Sequence, residues 1–156
     1  MLKVVLIRPE IAGNTGNVGR TCAATGSELH LVGPMGFTIS ERKLKRAGLD
    51  YWDKLAPKIY ASTDEFLERL PKDADVFAFS AEGPKVHWDA EFGADAWLIF
   101  GCESSGLPPE LRALWKERTY RVPMAPGTRS LNLASAAAVV IFEAARRRRV
   151  EGPMRK

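Results

Sequence analysis

The sequence predicts an α/β domain of about six strands in a mostly parallel sheet, with helices on both faces. Short apolar runs of strand length alternate with longer segments of helical pattern. Two of the runs, "ADVFAFS" and "AWLIFG", are almost unbroken in their apolar character, which suits strands buried on both faces of a parallel sheet. The chain has 156 residues, 46% hydrophobic and 27% charged, enough for one core and too few for two. A single domain over 1–156 is therefore expected, uninterrupted by linkers or repeats.

Each element has a local reason. "KVVLI" (3–7) is β-branched and apolar, a buried strand. "TGNVGRTCAATG" follows as a helix, with Asn14 placed to cap its start and Gly26 to end it in a left-handed conformation. "ELHLVG" (28–33) is a second strand, stopped by "GPMG". "SERKLKRAG" reads as a short basic helix and "KIYA" (58–61) as a third strand. In "STDEFLERL", Ser62 and Glu65 have the spacing of a capping box. The two apolar runs at 74–80 and 96–101 are the next strands, followed by "LPPELRALW", a helix with proline near its start. "TYRVP" is a last short strand and "SLNLASAAAVVIFEAARRRR" a long final helix.

Composition narrows the function. No apolar run reaches the roughly 20 residues of a membrane-spanning helix, and "MLKVVLIRPE" reads as a first strand rather than a secretory leader, so a cytoplasmic protein is expected. Cys22 and Cys102 lack the close spacing of zinc or redox motifs and read as reduced packing residues. The formal charge of +4 favours a polyanionic partner. The chain contains no glutamine and three asparagines, Asn14, Asn17 and Asn132. A composition that avoids amides keeps them where a paired donor and acceptor is needed, or where a helix needs a cap.

Ligands of parallel sheets sit beyond the carboxyl ends of the strands. That directs attention to "SAEGPK" (80–85), "GCESSGLPP" (101–109) and "PMAPGTRS" (123–130). The spacing of Gly13, Gly16 and Gly19 is not that of a dinucleotide-binding loop, and phosphate-loop and serine-elbow patterns are absent. With two histidines, His30 and His87, there are few parts for a metal site, and no metal is expected. What remains is an inventory of glycine- and proline-rich loops and one arginine. It suits chemistry that needs mainly positioning, such as methyl transfer from an already activated sulfonium.

Three segments carry a resemblance. "NTGNVGR", "IFGCESSGL" and "VPMAPGTRSLNLASAAAV" are similar to the three motifs of the SPOUT superfamily of RNA methyltransferases. "VVLIRPEIAGNTGNVGRTCAATG", "PMGF" and "KRAGLDYW" look more specifically like its TrmL subfamily, which methylates the 2′-oxygen of the tRNA wobble nucleotide. The resemblance covers essentially the whole chain, with no appended RNA-binding domain. It implies a C-terminal segment threaded into a trefoil knot and S-adenosyl-L-methionine bound there. The matching cofactor positions are Phe79, Gly101, Val122 and Ser130, with Met124 and Leu131 as neighbours. Arg20 matches the catalytic arginine, supported by Asn14, Asn132 and Glu103; Glu103 is expected to pair with Arg20, support an interface or cap the following helix. A guanidinium is a poor base, so this residue either orients the ribose 2′-hydroxyl or its phosphate, or also helps remove the proton.

The resemblance also implies a homodimer joined near the first and last helices. Gly16, Gly19, Arg20 and Ala23, at helical spacing, would form a bare strip for a second helix or a ribose. Arg42, Lys43, Lys45, Arg46, Arg129 and the arginines of 146–149 are the expected RNA contacts; for the arginine run, the alternative is charge that complements the helix dipole. Phe142, where some relatives have tyrosine, and Gly19, where many have an aliphatic residue, depart from the pattern. The expected activity is 2′-O-methylation of nucleotide 34, a cytidine or modified uridine, in tRNA. The alternatives are methylation of rRNA or another tRNA position, and a non-catalytic RNA-binding knot protein.

Overall fold

A computed structural model describes residues 1–38 and 52–147. In chain order the elements are β1 (Lys3–Ile7), α1 (Ala12–Thr25), β2 (Glu28–Val32), α2 (Trp52–Leu55), β3 (Lys58–Tyr60), α3 (Thr63–Arg69) and β4 (Val76–Phe79). They continue with β5 (Lys85–Val86), β6 (Trp97–Phe100), α4 (Pro109–Leu114), β7 (Thr119–Arg121) and α5 (Leu133–Arg147). The strands form one sheet of seven in the order β3-β2-β1-β6-β4-β7-β5. Every pairing is parallel, with Lys3 opposite both Glu28 and Trp97.

The expected strands are all present. The added one, β5, is two residues long at the sheet edge, too short to leave an apolar run in the sequence. The basic segment at 41–46, with Arg42, Lys43, Lys45 and Arg46 and its expected helix, lies outside the described residues, as do Arg148 and Arg149. Among the described residues, no helix is long and apolar enough to cross a membrane.

The strands are apolar throughout because both faces of the sheet are covered. Val4, Leu6, Phe77, Phe79, Leu98 and Phe100 point to one face and pack with Val18 and Cys22 of α1 and Ala137, Val140, Ile141 and Ala144 of α5. The alternate residues Val5, Ile7, Val76, Ala78, Trp97 and Ile99 pack on the other face with Phe66 of α3 and with Leu107, Leu111 and Trp115. Burying one such large side chain stabilises the fold by about 1.5–3 kcal/mol. The α1/α5 layer thus brings the first and last helices together over the middle of the sheet.

Local signals mostly hold. Gly26 ends α1 with φ 64°, and Ser27 N–H donates to Cys22 O at 2.9 Å. The Ser62 hydroxyl accepts from Glu65 N–H at 3.1 Å, and the Glu65 carboxylate accepts from Ala61 N–H at 2.6 Å. Two expectations for α1 are corrected. The N-cap is Ile11, not Asn14, which lies buried within the first turn because its amide is engaged by other loops. Gly16 and Gly19 do not form an exposed strip: both are buried, while Arg20 and Ala23 are exposed. A Cβ on Gly19 would lie 3.0 Å from the Trp52 ring and 3.2 Å from Leu55, so this glycine admits α2 of the same chain.

His30 is buried beside Tyr60, whose hydroxyl is 2.9 Å from Nδ1, and against the edge of Trp97. Burial, reinforced by Lys58, lowers its pKa to about 4. Both histidines are buried in the fold, and His30 is neutral at pH 7.

Candidate functional site

Strands β1, β6, β4 and β7 are consecutive neighbours, so the loops leaving their carboxyl ends form one continuous rim. Phe79 ends β4, buried and stacked on Phe100 at 4.9 Å. Gly101 follows β6 and opens a tight loop, closed where Cys102 and Gly106 exchange backbone hydrogen bonds of 3.1 and 3.0 Å. A Cβ on Gly101 would stand 2.0 Å from Gly106 C and 2.1 Å from Leu107 N, so only glycine lets the loop fold back on itself. After β7, Val122 packs against the α1/α5 core. Residues 124–132 are exposed, including Arg129, Ser130, Met124 at 39% and Leu131 at 42%.

Three amide and carboxylate side chains tie this rim together. Asn14 Nδ2 donates to Glu103 Oε1 at 3.0 Å, and Asn14 Oδ1 accepts from Asn132 Nδ2 at 2.9 Å. Asn132 Oδ1 accepts from Ala134 N–H at 2.8 Å, so this residue also caps α5. The Glu103 carboxylate accepts from Glu10 N–H at 2.7 Å and Ile11 N–H at 3.2 Å, which places negative charge at the positive end of α1. The chain Glu103–Asn14–Asn132 joins the loops after β1, β6 and β7. It uses both ends of the two amides, as their retention in an amide-poor sequence suggests. Arg20 lies further along α1, with its side chain exposed.

The two cysteines differ. Cys22 is buried, and burial pushes its thiol up to about 12. Cys102 is half-buried on the rim rather than packed in the core, because the loop around it is held by its own hydrogen bonds. Burial alone would raise its pKa, but hydrogen bonds with Ser105 and Ser104 outweigh this and lower it. Its sulfur lies 3.0 Å from Ser105 Oγ.

Sequence reasoning missed two rim residues. Glu10 and Ser104 are joined by hydrogen bonds of 2.9 Å from Ser104 N–H and 2.7 Å from Ser104 Oγ to the Glu10 carboxylate. The one signal for them is their position, an acid just after the first strand and a small hydroxyl within "GCESSG".

The pattern of the SpoU rRNA Methylase family matches residues 1–142. The chain belongs to that family. A tRNA (cytidine(34)-2′-O)-methyltransferase of Burkholderia pseudomallei is 44% identical over 154 residues, covering 97% of this chain and 99% of the relative. A solved structure described as giving structural insights into the 2-OH methylation of C/U34 on tRNA is 49% identical, with a TM-score of 0.89; the match covers 96% of this chain and 91% of that one. The SpoU methyltransferase AviRb from Streptomyces viridochromogenes, solved in complex with AdoMet, is 25% identical with a TM-score of 0.81. This match covers 98% of the present chain and 59% of AviRb.

Proposed function

We propose that this protein transfers a methyl group from S-adenosyl-L-methionine to the ribose 2′-oxygen of nucleotide 34, a cytidine or modified uridine, in tRNA. The observation that carries the reading is the Glu103–Asn14–Asn132 chain, which fixes the three motif loops to one another and to the helix bearing Arg20. The near full-length similarity to a relative named for this reaction supports the choice of substrate.

The rim fits the cofactor on its own features. Gly101 and the folded-back 101–106 loop present backbone, and Met124 and Leu131 present exposed apolar surface beside Val122 and Ser130. Such a mixture suits an adenosine and a thioether chain, with Phe79 closing the strand end beneath. When bound, the cofactor supplies a sulfonium-activated methyl group. The protein's part is to bind, to exclude water and to align the acceptor oxygen.

Arg20 holds the 2′-hydroxyl or its neighbouring phosphate by charge-assisted hydrogen bonds, and the proton that the hydroxyl loses on methylation passes to water, directly or by way of Arg20. Asn14 and Asn132 keep the start of α1 and the start of α5 in register, and Glu103 anchors the motif-two loop to that same end of α1. No metal takes part in this scheme.

The assembly we propose is a cytoplasmic homodimer. The exposed apolar residues Val139 at 44% and Phe142 at 48% on α5 suit a helix-to-helix contact. We place the trefoil knot in the C-terminal half, where β7 runs between β4 and β5 and the Arg121 guanidinium donates to Gly83 O and Pro84 O at 2.8 and 2.9 Å. Arg129, with Arg42, Lys43, Lys45 and Arg46, is assigned to tRNA phosphates.

The test is transfer of labelled methyl to unmodified tRNA, with the modified nucleotide located by digestion and mass spectrometry. Methyl at the 2′-oxygen of nucleotide 34 is expected; no transfer to any RNA overturns the enzymatic reading, and transfer elsewhere overturns the position. Arg20→Ala abolishes transfer while cofactor affinity stays within about threefold, as expected for a group that acts on the acceptor. An equal loss of cofactor binding would show that Arg20 serves the cofactor instead.

A further inference from the structure

We propose that Glu10 is a positioning residue for the cofactor loop, clamping the tip of the 102–106 loop to the chain that enters α1. The contact is reciprocal. Glu103 reaches from the β6 loop to the backbone N–H groups of Glu10 and Ile11, while Glu10 reaches back to the N–H and hydroxyl of Ser104 at 2.9 and 2.7 Å. Hydrogen bonds to a carboxylate are roughly twice as strong as neutral ones, and two from one residue fix direction as well as distance.

The backbone of Glu10 is itself held on a second side. Gly36, in the loop after β2, donates its N–H to Pro9 O at 2.9 Å. A Cβ on Gly36 would stand 2.9 Å from both Glu10 Cα and Glu10 O, so the two backbones are in direct contact and glycine is required there. The "PMGF" segment thereby gains a physical role. Glu10 stands where the loops after β1, β2 and β6 meet, and its side chain leaves a fixed point.

The 101–106 loop closes on itself through the Cys102–Gly106 pair. Its tip is tied outward by Glu103 and Ser104. Removing Glu10 leaves the Glu103 side anchored and releases the Ser104 side. The loop then pivots, and the backbone groups beside Gly101 lose their preset arrangement. The cost falls on cofactor binding, because ordering the loop must accompany it.

This inference rests on the cofactor reading above, and binding measured by calorimetry without RNA separates the two. Glu10→Ala is expected to weaken S-adenosylmethionine binding about tenfold. Transfer at saturating cofactor falls by less than about threefold, the split expected when binding rather than the transition state is affected. Glu10→Gln, which can accept from Ser104 N–H and donate to Ser104 Oγ, restores affinity to within about threefold. Ser104→Ala, which keeps its backbone N–H, has a smaller effect and adds nothing to Glu10→Ala, as two members of one contact should. It also serves as the variant of record if Glu10→Ala does not fold. Unchanged affinity in Glu10→Ala, equal losses in the Ala and Gln variants, or additivity of the two sites overturns the clamp. Absence of binding by the wild-type protein overturns both the clamp and the cofactor reading.

Discussion

Asn132 Nδ2 donates to Asn14 Oδ1 across 2.9 Å, although the two residues are 118 positions apart in the chain. The bond joins the start of α5 to the first turn of α1, and the other end of the Asn14 amide is committed to Glu103. The two ends of the Asn14 amide thus meet a requirement for a donor on one side and an acceptor on the other, which a carboxylate cannot meet.

Asn14→Asp tests that requirement through charge. The substitution puts a second carboxylate against Glu103, at a contact now 3.0 Å long. Two neighbouring carboxylates cannot both ionise without cost, so one is pushed up in pKa. The variant should be about 2 kcal/mol less stable than wild type at pH 8, with the deficit shrinking near pH 5 as the pair takes up a proton. Urea unfolding of both proteins at the two pH values checks this, and a deficit independent of pH would count against it.

Gly101→Ala has no room for its methyl group, with Gly106 backbone carbon 2.0 Å from the ideal Cβ. The loop must open. Loss of stability in the upper part of the 1–3 kcal/mol range for overpacking is expected, together with loss of cofactor binding. Thermal melting and calorimetry measure the two effects separately.

The cysteines predict a labelling pattern. Cys22 is buried with its thiol raised to about 12, whereas Cys102 is half-buried with its thiol held low by serine hydrogen bonds. Thiolate fraction and access both favour Cys102. Iodoacetamide should modify Cys102 first in the folded protein, and S-adenosylmethionine should slow that modification. Peptide mass mapping with and without the cofactor gives the answer.

His30 makes stability depend on pH. Its folded pKa is about 4 against an ordinary value of 6.5, because burial and then Lys58 disfavour the cation more than Glu28 favours it. The unfolded chain therefore binds the proton more readily. The contribution of His30 is full above about pH 6.5 and is lost as pH falls toward 4, to an extent on the order of 3 kcal/mol. Replacing it by asparagine should flatten the stability profile in that window, measured by denaturant midpoints at half-unit steps of pH.

Much of this architecture was legible because its signals are local. Strands β4 and β6 are continuous apolar runs, and Ser62 and Gly26 act as their spacing indicates. Sequence similarity pointed to Asn14, Asn132 and Glu103, and the structure brings them together. The misreadings arose where a distant partner decides. Asn14 looked like a cap because nothing in its own segment shows that Glu103 and Asn132 will claim its amide. Gly19 looked like an opening to another molecule because the ring of Trp52 arrives from a different part of the chain. Glu10 was invisible because its meaning lies in Ser104 and Gly36, each in another loop.

The strand order has a consequence for synthesis. Strands β1, β2 and β3 are neighbours in sequence and in space, so the leading half of the sheet can assemble as the chain emerges. The other flank of β1 is reserved for β6, whose residues Trp97–Phe100 are translated much later. Until then β1, an interior strand of the finished sheet, has one open edge, able to pair with any extended chain nearby. During that interval β1 carries this open edge in addition to the outer one of the sheet, and the arrival of β6 closes it by covering the exposed side of β1.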